Sequence, residues 1–418
     1  MQKDDRKMKG KLLNASFLLQ GRISMCATIL LSCYTASSGV MAWDVAPEMN
    51  MRVGYDDNLR LLADESDGGY KAVANIAVTA ASFQKDSNLL ATLGFNVNEH
   101  FSTDRDDVVD EVVPFAKIKG GYKVSRRDDV GFSLDFRRDY TSTNQVVDDD
   151  ETDTDFGIVK QQNKRKRTRL SPYWKHHLNE TVDLGLDYSY IDVRYDESDN
   201  TSLVDYTNHI VSSSVSMPIS RKNTLKLALD VGRYDPDSGS DRDTMDTYSI
   251  NGTLGFSPSE KTKYDVTLGW HQTSYDNNTG DSDEEGMLAK VSGETRRNTV
   301  IMRAVIERRL SPSGSGRLIE SDKLTASFLK KLGPLLSLST KIRYFDNESI
   351  AHGGDSTDQR EFLSVEPGII RQISRDWSIE FSYRYRMEEK ADEHNSVESN
   401  AVFLSLKYKP QSKYGRRN

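Results

Sequence analysis

Alternation with a period of two, repeated along almost the whole chain, is what most limits the folds open to this sequence. It is clearest from Lys164 to Ile191, KRKRTRLSPYWKHHLNETVDLGLDYSYI. Thr168, Leu170, Pro172 and Trp174, then Val182, Leu184, Leu186, Tyr188 and Tyr190, form one series, apolar or aromatic after its threonine. Arg165, Arg167 and Arg169, then Asp183, Gly185, Asp187 and Ser189, form the other, charged or small. Successive side chains of a strand point to opposite faces, so each series occupies one face of a hairpin. A core-covering hairpin of a soluble sheet is seldom repeated many times; this one recurs to the end of the chain.

The rhythm is a long polar loop, a strand, a tight turn, a strand, and another long loop. Met49, Met51, Val53 and Tyr55 alternate with Glu48, Asn50, Arg52 and Gly54 at the start, and Val402, Leu404, Leu406 and Tyr408 mark the last strand. Tight turns are expected at Gln84–Ser87, Ser125–Asp128, His176–Asn179, Arg221–Asn223, Ser259–Lys261, Arg296–Asn298, Lys331–Pro334 and Ser374–Asp376. This predicts eighteen strands, roughly 21 residues per strand with its connection, enough for a membrane-crossing strand of ~10 residues and a share of loop. The short turns lean basic. The long loops are acidic, as at Asp148–Glu151 and Asp281–Glu285. Short periplasmic turns and long outer loops are the usual asymmetry of such proteins.

Composition agrees with a barrel and excludes a helical membrane bundle. Of 418 residues, 36% are hydrophobic, 29% charged and 9% aromatic, and the mean hydropathy is -0.64. Only every second residue of a barrel strand meets lipid, so such a mixture suffices. Aromatics gather at the ends of the apolar series, where interfacial girdles belong: Trp174, Tyr190, Trp270, Trp377 and Tyr408 among them. A solenoid would carry glycine or asparagine at fixed repeat positions, and no such period is present. The expectation is therefore an all-β transmembrane antiparallel up-and-down barrel of about 18 strands in a Gram-negative outer membrane.

Residues 1–42 read as a signal peptide. Lys3, Arg6, Lys7, Lys9, Lys11 and Arg22 precede an apolar run from Ile23 to Tyr34, and Val40-Met41-Ala42 is a small-residue cleavage site. Leu30-Leu31-Ser32-Cys33 also resembles a lipidation site. Both cysteines, Cys26 and Cys33, lie in this segment, so its removal leaves no disulfide framework. It also removes six basic and two acidic residues, taking the net charge from -8 to -12. That acidity gives no support to a nucleic-acid partner. The barrel would span 43–408, with 409–418 a periplasmic tail.

The second series should line the lumen. Candidate pore-lining residues are Arg52, Asp135, Arg137, Arg165, Arg167, Arg169, Asp183, Asp187, Glu380, Arg384 and Arg386. A turn centred on His176 would place Arg169 opposite Asp183 and Arg165 opposite Asp187, favourable cross-strand pairs. The expected lumen is hydrated and mixed in charge, with Phe115 and Phe403 among the few inward aromatics. His176-His177 lacks the partners of a metal site. No motif of a nucleotide-binding or hydrolytic enzyme is present. A non-enzymatic barrel without cofactors is expected, its partners being outer-membrane lipid, lipopolysaccharide and the barrel-assembly machinery.

At Trp43-Asp44-Val45-Ala46-Pro47, and at Tyr55, Asp56, Asp57 and Asn58 between Gly54 and Leu59, the chain resembles the outer-membrane β-barrel porins of the BBP2 type. That family is often linked to exopolysaccharide gene clusters, and its first strand typically ends in a Tyr-x-Asp-Asn segment. The resemblance implies an exopolysaccharide-export channel working with a periplasmic polysaccharide export protein. A general diffusion porin and a structural or adhesive barrel are the alternatives. The residues after Tyr408 depart from the usual terminal aromatic of barrel proteins.

Overall fold

The computed structural model describes residues 43–59, 61, 68–102, 108–140, 164–196, 203–237, 244–276, 282–314, 316–349, 360–390 and 393–410. The signal-peptide segment, its two cysteines, the acidic run at 148–155 and the end of the tail lie outside the described residues. Eighteen strands follow one another: β1 (Asp44–Asp56), β2 (Gly69–Phe83), β3 (Ser87–Ser102), β4 (Val108–Lys123), β5 (Asp128–Tyr140), β6 (Lys164–His177), β7 (Asp183–Asp196), β8 (Tyr206–Pro218) and β9 (Asn223–Pro236). The second half comprises β10 (Thr244–Ser259), β11 (Thr262–Asp276), β12 (Ser282–Arg297), β13 (Val300–Pro312), β14 (Leu318–Lys331), β15 (Leu336–Ser349), β16 (Arg360–Gln372), β17 (Trp377–Lys390) and β18 (Glu393–Tyr408). Each strand pairs antiparallel with its sequence neighbours, and β1 pairs with β18 as well as β2. The sheet is closed.

Closure leaves no strand edge, which is what lets a sheet sit in hydrocarbon where water cannot satisfy the backbone. Outward side chains are apolar and bare. Leu225, Leu227, Leu229 and Val231 follow one another on the outer face of β9, and Leu227 and Leu229 are about half exposed. Leu93, Leu268 and Met287 are at 58%, 60% and 65% exposure, far above what a soluble core allows. This face is a solvent contact for lipid. The protein is an integral outer-membrane barrel.

The strands run to 13–16 residues, longer than the ~10 that a crossing needs. The excess lies at the long-loop end, where the outer face turns from apolar to charged. On β9, Arg233 follows Val231 and pairs across strands with Asp246 of β10, Nε to Oδ1 at 2.7 Å. Arg194 meets Asp192 at 2.9 Å, Arg138 meets Asp196 at 2.8 Å, and Arg308 meets Glu320 at 3.3 Å. Of the expected girdle, Trp174, Trp377 and Tyr408 stand near the tight turns, the last two with ring centroids 4.8 Å apart. Tyr190 and Trp270 stand farther along their strands, toward the long loops.

Leu227→Arg places a cation on the lipid face and is expected to cost roughly 2–4 kcal/mol, while Ala228→Arg on the lumen face costs much less. Reversible guanidinium unfolding in phospholipid vesicles measures both. Equal losses would contradict the assignment of faces.

Candidate channel lumen

The hairpin of β6 and β7 turns later than its histidines suggest. His177 faces Asp183, so Arg169 lies opposite Ile191 and Arg165 opposite Tyr195. The expected Arg169–Asp183 and Arg165–Asp187 pairs do not form. The cause is Asn179, whose side-chain oxygen accepts from the backbone N–H of Thr181 and Val182, both at 2.8 Å. That Asx turn places the bend at 178–182. Asp183 instead takes Lys175 at 2.7 Å and His177 at 2.6 Å, and Asp187 faces Tyr173. The arginines find their register partners on the preceding strand. Arg169 lies opposite Asp135, which also meets Lys117 at 3.6 Å, and Arg167 lies opposite Arg137. Arg165 donates from Nε and a terminal nitrogen to Asp139, at 3.0 and 3.2 Å, with both side chains buried.

At the seam between β1 and β18, Arg384 and Arg386 of the expected lumen lining meet the first strand. Asp56, almost fully buried, accepts from Arg384 and Arg386, both at 2.8 Å, and from the hydroxyl of Ser399. Two buried guanidinium groups thus share one carboxylate. The rest of the family-like segment fastens the same place. Asp57 accepts from the backbone N–H of Asn400 at 2.6 Å and from its side-chain amide at 3.0 Å. The backbone N–H of Asn58 donates to Asp56, and its side-chain amide donates to the carbonyl of Glu398. Tyr55 packs edge-on against Tyr70 with ring centroids 5.4 Å apart. The segment therefore ties β1 to β17 and β18.

Farther into the lumen, Arg52 meets Glu366 at 2.9 Å, and Lys407 pairs with Glu380. Arg52 and Arg384 both lie against the ring of Phe403, at 3.7 and 4.8 Å from its centroid. Gly54 makes room for that ring, since a Cβ there would collide with Phe403 and with the carbonyl of Val402. These groups, with Lys71, Lys341 and Arg343, border a recess of about 200 Å³ in the wall. Elsewhere the inward face carries small polar ladders, such as Thr79 with Thr92 at 2.9 Å and Thr253 with Thr267 at 2.8 Å.

The lumen is not polar throughout, contrary to expectation. Near the long-loop end, Ile191, Val193, Tyr195, Tyr206, Tyr234, Met245 and Tyr275 turn inward and are buried with Leu203 and Leu318. The connection from β13 to β14 seals them: Tyr234 donates its hydroxyl to the Ser313 carbonyl at 2.7 Å, and Val204 N–H donates to the Gly314 carbonyl at 2.7 Å. Gly316 turns this connection with a φ of 79°, a conformation glycine adopts without strain. Across the mouth, Leu61 packs on Phe345, Phe362 and Val397. Leu61 has a φ of 54°, a left-handed conformation costing roughly 1–2 kcal/mol. Burying a leucine side chain contributes about 1.5–3 kcal/mol, enough to hold it there. The inward aromatics are thus more numerous than Phe115 and Phe403.

A closed eighteen-strand sheet with a bare apolar outer face and a charged inner one defines an outer-membrane β-barrel channel. No family model matches the chain. No curated protein matches it in sequence. Among solved structures it is similar to OccK5 (OpdH) of Pseudomonas aeruginosa, with a TM-score of 0.46 and 8% identity over 88% of this chain and 99% of that one. It is similar to OpdQ of the same organism, with a TM-score of 0.46 and 9% identity over 89% and 99%. The siderophore receptor PirA of Pseudomonas aeruginosa gives a TM-score of 0.44 and 11% identity over 89% and 81%. At TM-scores below 0.5 the strand paths differ too far for any residue role to be carried across.

Asp56→Asn would leave two buried guanidinium groups without their counter-charge. A loss of about 3–5 kcal/mol is expected, against about 1 kcal/mol for the half-buried Asp57→Asn, whose amide oxygen still accepts from the Asn400 N–H. Equilibrium unfolding in vesicles compares them; equal effects would show that Asp56 does not hold the seam.

Proposed function

We propose that this protein is a hydrated channel that passes polar solutes across the outer membrane. The observation that carries this reading is the charged and hydroxylated inner face at the height of the outer apolar band, with Arg52, Lys290, Glu307, Glu366 and the threonine ladders turned into the lumen. Such groups are costly in hydrocarbon and stable beside water. Both charge signs occur around the wall, whereas a strongly selective ion filter carries a ring of one sign. Catalysis plays no part in this reading. The barrel supplies a path, and a concentration gradient supplies the direction. Liposomes reconstituted with the purified protein should swell in small sugars at rates that fall with solute size. Absence of swelling with every neutral and charged solute tried would sink the channel reading.

A second reading is export of a secreted exopolysaccharide, delivered by a periplasmic polysaccharide export protein. It is supported by the resemblance of Trp43–Pro47 and Gly54–Leu59 to the BBP2-type porins. The described contacts of that segment are made at the seam, so it supports kinship more than substrate. Deleting the gene should lower surface exopolysaccharide several-fold if this reading holds. Normal surface levels in the deletion strain would refute it and leave solute passage intact.

A further inference from the structure

We infer that the short-turn rim of the barrel binds the phosphates of anionic glycerophospholipids in the leaflet it touches. The site lies on the outside of the barrel and is independent of what passes through it. Short turns belong to the periplasmic side of such barrels. The sequence carries the site as a repeat. Val124-Ser125-Arg126, Ile219-Ser220-Arg221 and Ile373-Ser374-Arg375 are one pattern, an aliphatic residue, a serine and an arginine, at the turns after β4, β8 and β16.

The repeat is also geometric. In each turn the N–H of the aliphatic residue donates to the carbonyl four residues on: Val124 to Asp128 at 2.9 Å, Ile219 to Asn223 at 3.0 Å and Ile373 to Trp377 at 2.9 Å. Leu178 to Val182 and Leu332 to Leu336, both at 2.9 Å, close two further turns in the same way. The serine supplies the bend. Ser125 Oγ accepts from the Arg127 N–H at 3.0 Å, and Ser220 Oγ accepts from the N–H groups of Lys222 and Asn223 at 3.2 and 3.1 Å. The side chains on either side of it are not needed for the turn. Val124, Leu178, Ile219, Leu332 and Ile373 are all half or more exposed. Each continues the outward series of its strand, Val124 after Tyr122 and Ile219 after Met217, so it stands on the lipid side of the wall.

The cations at these turns are open. Arg126, Arg127, Arg221, Lys222, Arg297 and Lys330 are exposed and make no ion pair among the described residues. Of the acids there, Asp128 is held by Ser125 and His176, Asp129 is held by His177, and Asp376 is partly buried. Asp86, Glu180 and Glu260 are the exposed ones. At the long-loop end, by contrast, outward arginines close onto acids, Arg233 onto Asp246 and Arg138 onto Asp196. Open cations beside bare aliphatic groups fit a partner with both an acyl region and a negative headgroup, since apolar burial and attraction to anionic lipid add together at an interface. The outward parity favours lipid over a protein docked beneath the barrel, because the aliphatic groups prolong the lipid face.

The full-length protein reconstituted in phosphatidylcholine bilayers, with a trace of spin-labelled lipid, tests this. Labelled phosphatidylglycerol should enter the motionally restricted shell around the barrel several-fold more than labelled phosphatidylcholine. The preference should fall toward unity in high salt, which screens exposed charges. R126Q/R127Q/R221Q/K222Q should lose most of it, and R126K/R127K/R221K should keep it. R126Q/R127Q and R221Q/K222Q, made separately, should each remove a share, so one variant that fails to insert does not stop the test. Electrophoretic mobility before and after heating verifies that each is folded. Equal association of the two lipids with the unmodified protein overturns the proposal and leaves the rim to a protein partner. A preference that the glutamine variants retain overturns it as well, because the phosphates would then be bound elsewhere on the barrel.

Discussion

A sheet in hydrocarbon must pair every backbone N–H and C=O within itself, and all else in this molecule follows from meeting that demand. The critical place is where the first strand meets the last. β1 pairs with β2 from Asp44 to Asp56, but with β18 only from Met49 to Asp56. The shorter ladder is reinforced at its outer end by side chains. Asp56 gathers Arg384, Arg386 and Ser399, and Asp57 binds the backbone of Asn400. Charged groups are normally poor material for a buried joint, because desolvation offsets their attraction. Here Asp56 and its two arginines stand on the lumen side and are matched to the hydroxyl of Ser399 and the carbonyl of Asn58. They specify which strands meet, a task that apolar contacts on the lipid side perform weakly because lipid competes for them.

The same division of faces separates stability from transport. The outer face is bound to one chemistry by its solvent, whereas the inner face is free to vary around the circumference. That freedom is used unevenly. The arc from β7 to β11, joined by the β13–β14 connection, is packed with tyrosine and aliphatic side chains near the long-loop end. Inward cations occur on β6, on β12 and on the strands from β15 through β18 to β2.

Much of this was legible from alternation alone. Which residue of each strand meets lipid follows from parity, and parity placed Arg52, Asp135, Arg165, Glu380 and Arg384 inward without any knowledge of register. Register itself was not legible at β6–β7, because it hangs on one asparagine whose side chain replaces a backbone turn. The histidines beside it look like a turn and are strand. The inward tyrosines escaped for a different reason. Tyr206, Tyr234 and Tyr275 sit at strand ends, where an aromatic ordinarily belongs to the membrane interface, and only their neighbours across the sheet reveal the inner face. Asp56 read as part of a family signature, yet its task needs Arg384 and Arg386, more than three hundred residues away, to be understood.

The charged outer rim beyond the apolar band has a consequence for how the protein meets its surroundings. On β9 the last apolar outward residue is Val231 and the strand continues to Pro236. At roughly 3.3 Å per residue, reduced by strand tilt, this carries paired backbone on the order of 10 Å past the hydrocarbon. The barrel thus ends in a stiff collar at the depth of the lipid phosphates and first sugars. Cross-strand pairs such as Arg233 with Asp246 keep the collar shut without help from lipid. The height at which the strands end is thus set by strand length and lies above the headgroups.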